Sequence, residues 1–161
     1  MPPPILVQVA REFDASPERA FDAWLNPELI GRWMFGPALR DEQVVRVAVD
    51  PRVGGRFAFL VRRGGGDLDH VGEYRVLDKP CRLVFTWGVA DIVDGESRVT
   101  VDITPRAGGC TLELTHELRP EWADYADRTR DGWTEMLGCL AAILDTMGRS
   151  VPGAEAPGLQ S

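Results

Sequence analysis

"RDGWTEMLGCLAAILDTM", residues 130–147, is the most strongly patterned stretch of the chain. At about 100° per residue, Trp133, Met136, Leu137, Leu140, Ile143, Leu144 and Met147 fall within an arc of about 120°, and Thr134, Glu135, Gly138, Cys139, Asp145 and Thr146 fall opposite. That stripe predicts a long helix, starting near Glu121 or Asp124 and ending at Met147, with one face on a core. Polar residues interrupt it too often for it to span a bilayer.

A one-faced helix needs an apolar surface to cover, and the stretch before it supplies one. From Gln43 to Leu118 the period changes to two, with turn signals at Asp50-Pro51 and Gly54-Gly55, Gly64-Gly65-Gly66-Asp67, Asp78-Lys79-Pro80, and Pro105 with Gly108-Gly109. These predict strands near 43–49, 55–62, 69–77, 82–89, 97–104 and 110–118, joined by hairpin-length connections and therefore antiparallel. One parity is apolar: Val45, Val47, Val49; Phe57, Phe59, Val61; Gly72, Tyr74, Val76; Leu83, Phe85, Trp87; Val99, Val101, Ile103; Leu112, Leu114. The other carries Arg46, Arg56, Arg62, Arg82, Arg98, Asp102 and Glu113, a solvated outer face. The three Gly64-Gly65-Gly66 residues are read as hairpin glycines at positive φ.

Upstream, ILVQVAREF alternates as a further strand, and Arg11 falls on its buried-side parity, where a charge must lie past the core rim or find a partner. Ser16-Pro17-Glu18 and Asn26-Pro27-Glu28 then repeat one helix-start chemistry: a capping side chain, a proline where no donor is needed, and an acid at the positive end of the dipole. Two short helices follow, striped by Ala20, Phe21, Trp24, Leu25 and by Leu29, Ile30, Trp33, Met34, the second ended by Gly36-Pro37.

The chain of 161 residues, 44% hydrophobic, suits one domain, expected over residues 4–148 with a flexible tail over 149–161. A net charge of −7 disfavours nucleic acid and anionic membrane surfaces as partners. The N-terminus matches neither a signal peptide nor a membrane span, so a cytoplasmic location is expected. Cys81, Cys110 and Cys139 form no close pair and are read as buried or half-buried thiols.

The order of elements resembles the helix-grip fold of the SRPBCC superfamily, which includes START domains, the birch pollen allergen type and polyketide cyclases. "REFDASPERAFDAWLNPELIGRWM", "PRVGGRFAF", "GEYRVLDKPCRLVFTW" and "LTHEL", followed by "DGWTEMLGCLAAIL", are similar to the successive signatures of the heat shock protein 90 ATPase activator-like family across residues 5–147. The resemblance implies an α+β fold: a curved antiparallel seven-stranded sheet wrapped around a long C-terminal helix, with two short helices after the first strand. It also implies a cavity between sheet and helix that receives an apolar ligand, walled here by Trp33, Phe57, Phe59, Tyr74, Phe85, Trp87, Trp133, Met136, Leu137 and Leu140.

Among polar candidates, His116 shares the parity of Leu112 and Leu114 and points inward near the end of its strand, as a structural residue, a ligand contact or a general base. Tyr74 is a core tyrosine or a polar anchor for a ligand. His70 and Glu73 lie on opposite faces of one strand, so no metal site is expected, and no cofactor either. No nucleophile motif is present. The leading expectation is non-enzymatic binding of a small hydrophobic or amphipathic molecule where packing gives way near Trp133 and Met136. The alternatives are a stress-related, co-chaperone-like module contacting a chaperone or a second copy of the chain, and a cyclase-like enzyme using His116 or Tyr74.

Overall fold

The computed structural model describes residues 3–35, 39, 42–90 and 97–149, with side chains through Asp145. Seven strands, β1 (Ile5–Phe13), β2 (Glu42–Val49), β3 (Arg56–Arg63), β4 (Gly66–Asp78), β5 (Arg82–Val89), β6 (Ser97–Arg106) and β7 (Gly109–Leu118), form one antiparallel sheet in the order β1-β7-β6-β5-β4-β3-β2. Helices α1 (Pro17–Asp22) and α2 (Pro27–Trp33) follow β1, and a 3-10 helix (Pro120–Tyr125) leads into α3 (Ala126–Arg149).

The local chemistry of the short helices is as expected. Ser16 Oγ accepts from the Arg19 amide at 3.2 Å, and Asn26 Oδ1 accepts from the Glu28 and Leu29 amides at 3.0 and 3.3 Å. Each closes free donors of a first turn that a proline begins. Trp24 lies just past the end of α1, where its ring meets Trp33 edge-on at 4.7 Å. The predicted Gly36-Pro37 stop, the Met147 side chain and the tail beyond Arg149 lie outside the described residues.

Along α3, Trp133, Leu137, Leu140 and Leu144 are buried, with Met136 and Ile143 half-buried beside them. They face Phe57, Phe59, Leu83, Phe85, Val99, Val101, Leu112 and Leu114 of the sheet in one core. Each such side chain contributes about 1.5–3 kcal/mol through burial. Arg11 on the helix-facing parity of β1 is exposed, its guanidinium reaching 4.0 Å from the point where Gly138 of α3 lacks a Cβ. That charge lies past the core rim.

Several expectations are corrected. Val45 is 43% exposed rather than inward, because the register between β2 and β3 slips at this residue. Val44 opposes Val61 and Val47 opposes Phe59, so the extra residue of a bulge is turned out. A second bulge at Arg75 flips the parity of β4: Tyr74 opposes Phe85 and stays inside, whereas Val76 opposes Val84 and turns outward. Cys81 is exposed because it sits in the turn before β5, unlike buried Cys110 and half-buried Cys139. Of the three hairpin glycines only Gly64 has a positive φ, at 60°. Gly72 is required for a different reason: a Cβ there would overlap the Thr86 carbonyl and the Phe57 ring, which lies across the bare backbone.

Candidate functional site

The residues expected to wall a cavity separate into three groups. Trp33, Leu137 and Leu140 are fully buried packing residues, with Trp33 Nε1 donating to the Ala23 carbonyl at 3.0 Å. Phe57, Phe59, Tyr74 and Phe85 line an interior void with Trp24 and Met34, but that void is only about 10 Å³. It is filled by aromatic rings: Phe57 stacks on Phe59 at 4.6 Å and meets Phe85 edge-on at 5.7 Å. The broad cavity expected beneath the helix is therefore closed by the chain's own side chains.

The remaining three, Trp87, Trp133 and Met136, lie with the polar candidate His116 where the core opens at the N-terminal end of α3. Two clefts meet there and share Trp87, His116 and Thr129. One, of about 460 Å³, is bordered by Trp87, Val89, Leu118, Trp122 and Tyr125, and is largely apolar. The other, of about 390 Å³, is bordered by Phe35, His70, Trp133 and Met136 together with Arg63, Arg128, Asp131 and Glu135, and mixes rings with both signs of charge. Trp87, expected in the core, is half-buried as the wall between these clefts and the interior.

Polar bonds fix this end. Trp133 Nε1 donates to His116 Nδ1 at 3.0 Å, and His116 Nε2 lies 2.6 Å from Ser97 Oγ, which in turn donates to the Trp87 carbonyl at 3.1 Å. An indole nitrogen only donates, so Nδ1 is the acceptor and the imidazole proton sits on Nε2, pointing at Ser97. Burial holds the His116 pKa down to about 4, so the ring is neutral near neutrality. The consequence is chemical. A serine–histidine pair at this distance resembles a nucleophile and its base, but a base must present a bare nitrogen to the hydroxyl, and here that nitrogen is protonated. The pair is a positioning device for the wall of the cleft.

On the opposite wall, Glu42 and Arg63 oppose each other across β2 and β3 and join through Arg63 Nη2 and Glu42 Oε1 at 2.7 Å. The Glu42 side chain is fully enclosed, while the Arg63 side chain, which borders the cleft, is 39% exposed. His70 stacks on Trp87 at 5.3 Å, with its Nδ1 3.4 Å from the Phe59 carbonyl. Tyr125 carries the Arg128 guanidinium over its ring at 5.4 Å. Burial pushes the Tyr74 phenol well above the ordinary tyrosine range.

Sequence reading missed Ser97, although a serine sharing the inward parity of Val99 and Val101 was a visible signal. Trp122 and Tyr125 were also missed, two aromatic residues three apart in the otherwise polar segment PEWADY. Phe35, Arg63 and Arg128 gave no comparable signal. Among the described residues, no cluster of His, Cys, Asp or Glu could hold a metal ion, and no helix is long and apolar enough to cross a membrane.

Solved structures share the architecture. The Chromobacterium violaceum protein CV1439 is 26% identical with a TM-score of 0.75, the match covering 88% of this chain and 98% of that one. A Rhodobacter sphaeroides protein is 24% identical with a TM-score of 0.77, over 88% and 93% of the two chains. An AHSA1-like protein from Aeromonas hydrophila is 22% identical with a TM-score of 0.72, over 91% and 96%. None of the curated proteins matches the chain. The family model described as Activator of Hsp90 ATPase homolog 1-like protein matches residues 14–145, and the chain belongs to that family.

Proposed function

We propose that this protein binds a small amphipathic molecule, without transforming it, in the paired clefts at the N-terminal end of α3. The observation that carries the reading is the unlike character of two clefts with a common floor. Trp122, Tyr125, Leu118 and Val89 suit an apolar segment, and Arg63, Arg128, Asp131 and Glu135 suit a polar group held across the Trp87–His116 ridge. The combined volume is of the order that a small-molecule site needs. The resting tautomer of His116 favours binding over the cyclase-like alternative.

Titration with a dansylated fatty acid, read by fluorescence, tests this. Saturable binding is expected, weakened about tenfold by Trp122→Ala or Tyr125→Ala, the scale of a lost aromatic anchor. Binding indifferent to both substitutions, or no binding, would overturn the reading. A purified chaperone that displaces the probe, and whose ATPase rate responds, would assign the same face to a protein partner.

A further inference from the structure

The outer face of the sheet, turned away from α3, carries a groove of about 480 Å³ that meets the apolar cleft only at Ser97, Leu118 and Glu121. Alternation along β5, β6 and β7 sends Phe85, Val99 and His116 inward and therefore Thr86, Arg98 and Glu117 outward, side by side across three strands. Arg75 of β4 borders the groove on one side, and Pro4, Arg119, Pro120 and Glu121 border it on the other. Three arginines and two glutamates line it, so one positive charge is in excess on a chain whose net charge is −7.

Two donors on the floor of this groove are uncommitted. Arg98 makes no ion pair or side-chain hydrogen bond among the described residues, although Glu117 is its cross-strand neighbour. Thr86 is 6% exposed; its Oγ1 accepts from the Glu73 amide at 2.9 Å, and no group among the described residues accepts its hydroxyl proton. A hydroxyl that has accepted one bond still has a proton to donate, and a nearly buried one ordinarily finds an acceptor. Thr86 and Arg98 are direct partners in the β5–β6 register, which sets their Cβ atoms about 4.5–5.5 Å apart. One oxygen-rich group above the sheet therefore reaches both. Arg75 and Arg119 add charge from either side, the first held loosely by Glu73 at 3.8 Å and the second by Glu121 at 3.0 Å.

We propose that this groove binds a small organic phosphate monoester, its phosphoryl oxygens accepting from the Arg98 guanidinium and the Thr86 hydroxyl and its organic body resting on Pro4, Leu118 and Pro120. Both uncommitted groups donate, so the partner is a group that only accepts, and three bordering guanidiniums suit a dianion. Three oxygens on one phosphorus serve donors arriving from the floor and from both walls, which the two oxygens of a carboxylate do not. A small molecule fits better than a polyanion, because the local excess of charge acts within about a Debye length of 8 Å while the charge of the whole chain repels an extended one. The site lies on the other face of the sheet from the clefts, and the inference stands apart from the reading of them.

Phenyl phosphate, titrated by calorimetry at low ionic strength, is the probe. Saturable binding is expected, weakened about tenfold or more by Arg98→Gln and about three- to fivefold by Thr86→Val, whereas Thr86→Ser, which keeps the hydroxyl, should bind as the wild type does. Benzoate should bind at least about fivefold more weakly than phenyl phosphate, having fewer oxygens and one charge. Arg82→Gln, at an outer-face arginine already paired with Asp102, and Trp122→Ala, in the apolar cleft, should leave phenyl phosphate binding unchanged. No saturable binding, equal binding of benzoate, or equal losses from Arg82→Gln and Arg98→Gln would overturn the inference. Binding lost with Trp122→Ala but kept with Arg98→Gln would overturn it too, by placing the probe in the clefts. The dansylated fatty acid should be indifferent to Arg98→Gln, so the two sites stand or fall separately.

Discussion

Acid should weaken this fold through a single imidazole. His116 has an ordinary pKa of 6.5 in the unfolded chain and about 4 in the folded one, because protonation would charge a buried ring whose Nδ1 already accepts from Trp133. As pH falls through 6.5 the unfolded chain takes up a proton that the folded chain refuses until about 4. The stabilisation is therefore complete above 6.5, declines between 6.5 and 4, and is exhausted below. The two values give about 2 kcal/mol lost by about pH 5 and about 3 kcal/mol in all, since each unit is worth about 1.4 kcal/mol. His116→Asn isolates this contribution: its amide oxygen can still accept from Trp133 Nε1 but does not titrate. Urea unfolding followed by tryptophan fluorescence at about pH 8 and about pH 5 should show the wild type losing about 2 kcal/mol more than the variant. That is about 1 M in midpoint for a slope near 2 kcal/mol/M. Equal losses in the two proteins would refute the reasoning, as would an NMR titration of the native His116 ring with its inflection near 6.5.

The packing supports further outcomes. Leu140→Ala, at a fully buried position of α3, should cost about 2–5 kcal/mol by leaving a hole between helix and sheet, read from denaturant midpoints. Gly72→Ala should cost about 2 kcal/mol or more, because a strand must shift to clear the Thr86 carbonyl, and thermal melts would detect it. Asn26→Ala should cost about 1 kcal/mol by freeing the Glu28 and Leu29 amides, and Asn26→Ser should recover most of it in the same melts.

The sequence declared its elements far better than its voids. Caps at Ser16 and Asn26 are local chemistry, and the period-two pattern of β3, β5, β6 and β7 follows from a sheet with one covered face. The bulges at Val45 and Arg75 left no trace. In the run Val44, Val45, Arg46, Val47 either valine can point inward, and only the pairing with Val61 decides which one does. The open site was half legible. Trp133, Met136, His116 and Trp87 fall on the right faces, but whether Phe57 and Phe59 border a cavity or fill it depends on the summed volumes of rings from separate strands, which periodicity does not report. The tautomer of His116 was equally hidden, because it is set by an indole seventeen residues away that only the docking of α3 brings into reach.

The bulge at Val45 matters beyond its effect on parity. β2 ends the sheet, so its outer backbone groups face no strand among the described residues. An uninterrupted edge of that kind is a template on which another chain can add, and then another, toward insoluble aggregates. At Val45 the ladder skips one residue, so a straight incoming strand cannot follow the edge along its length without breaking its own hydrogen-bond register. The irregularity that defeats a simple reading of the sequence thus also guards the protein against growing its sheet sideways.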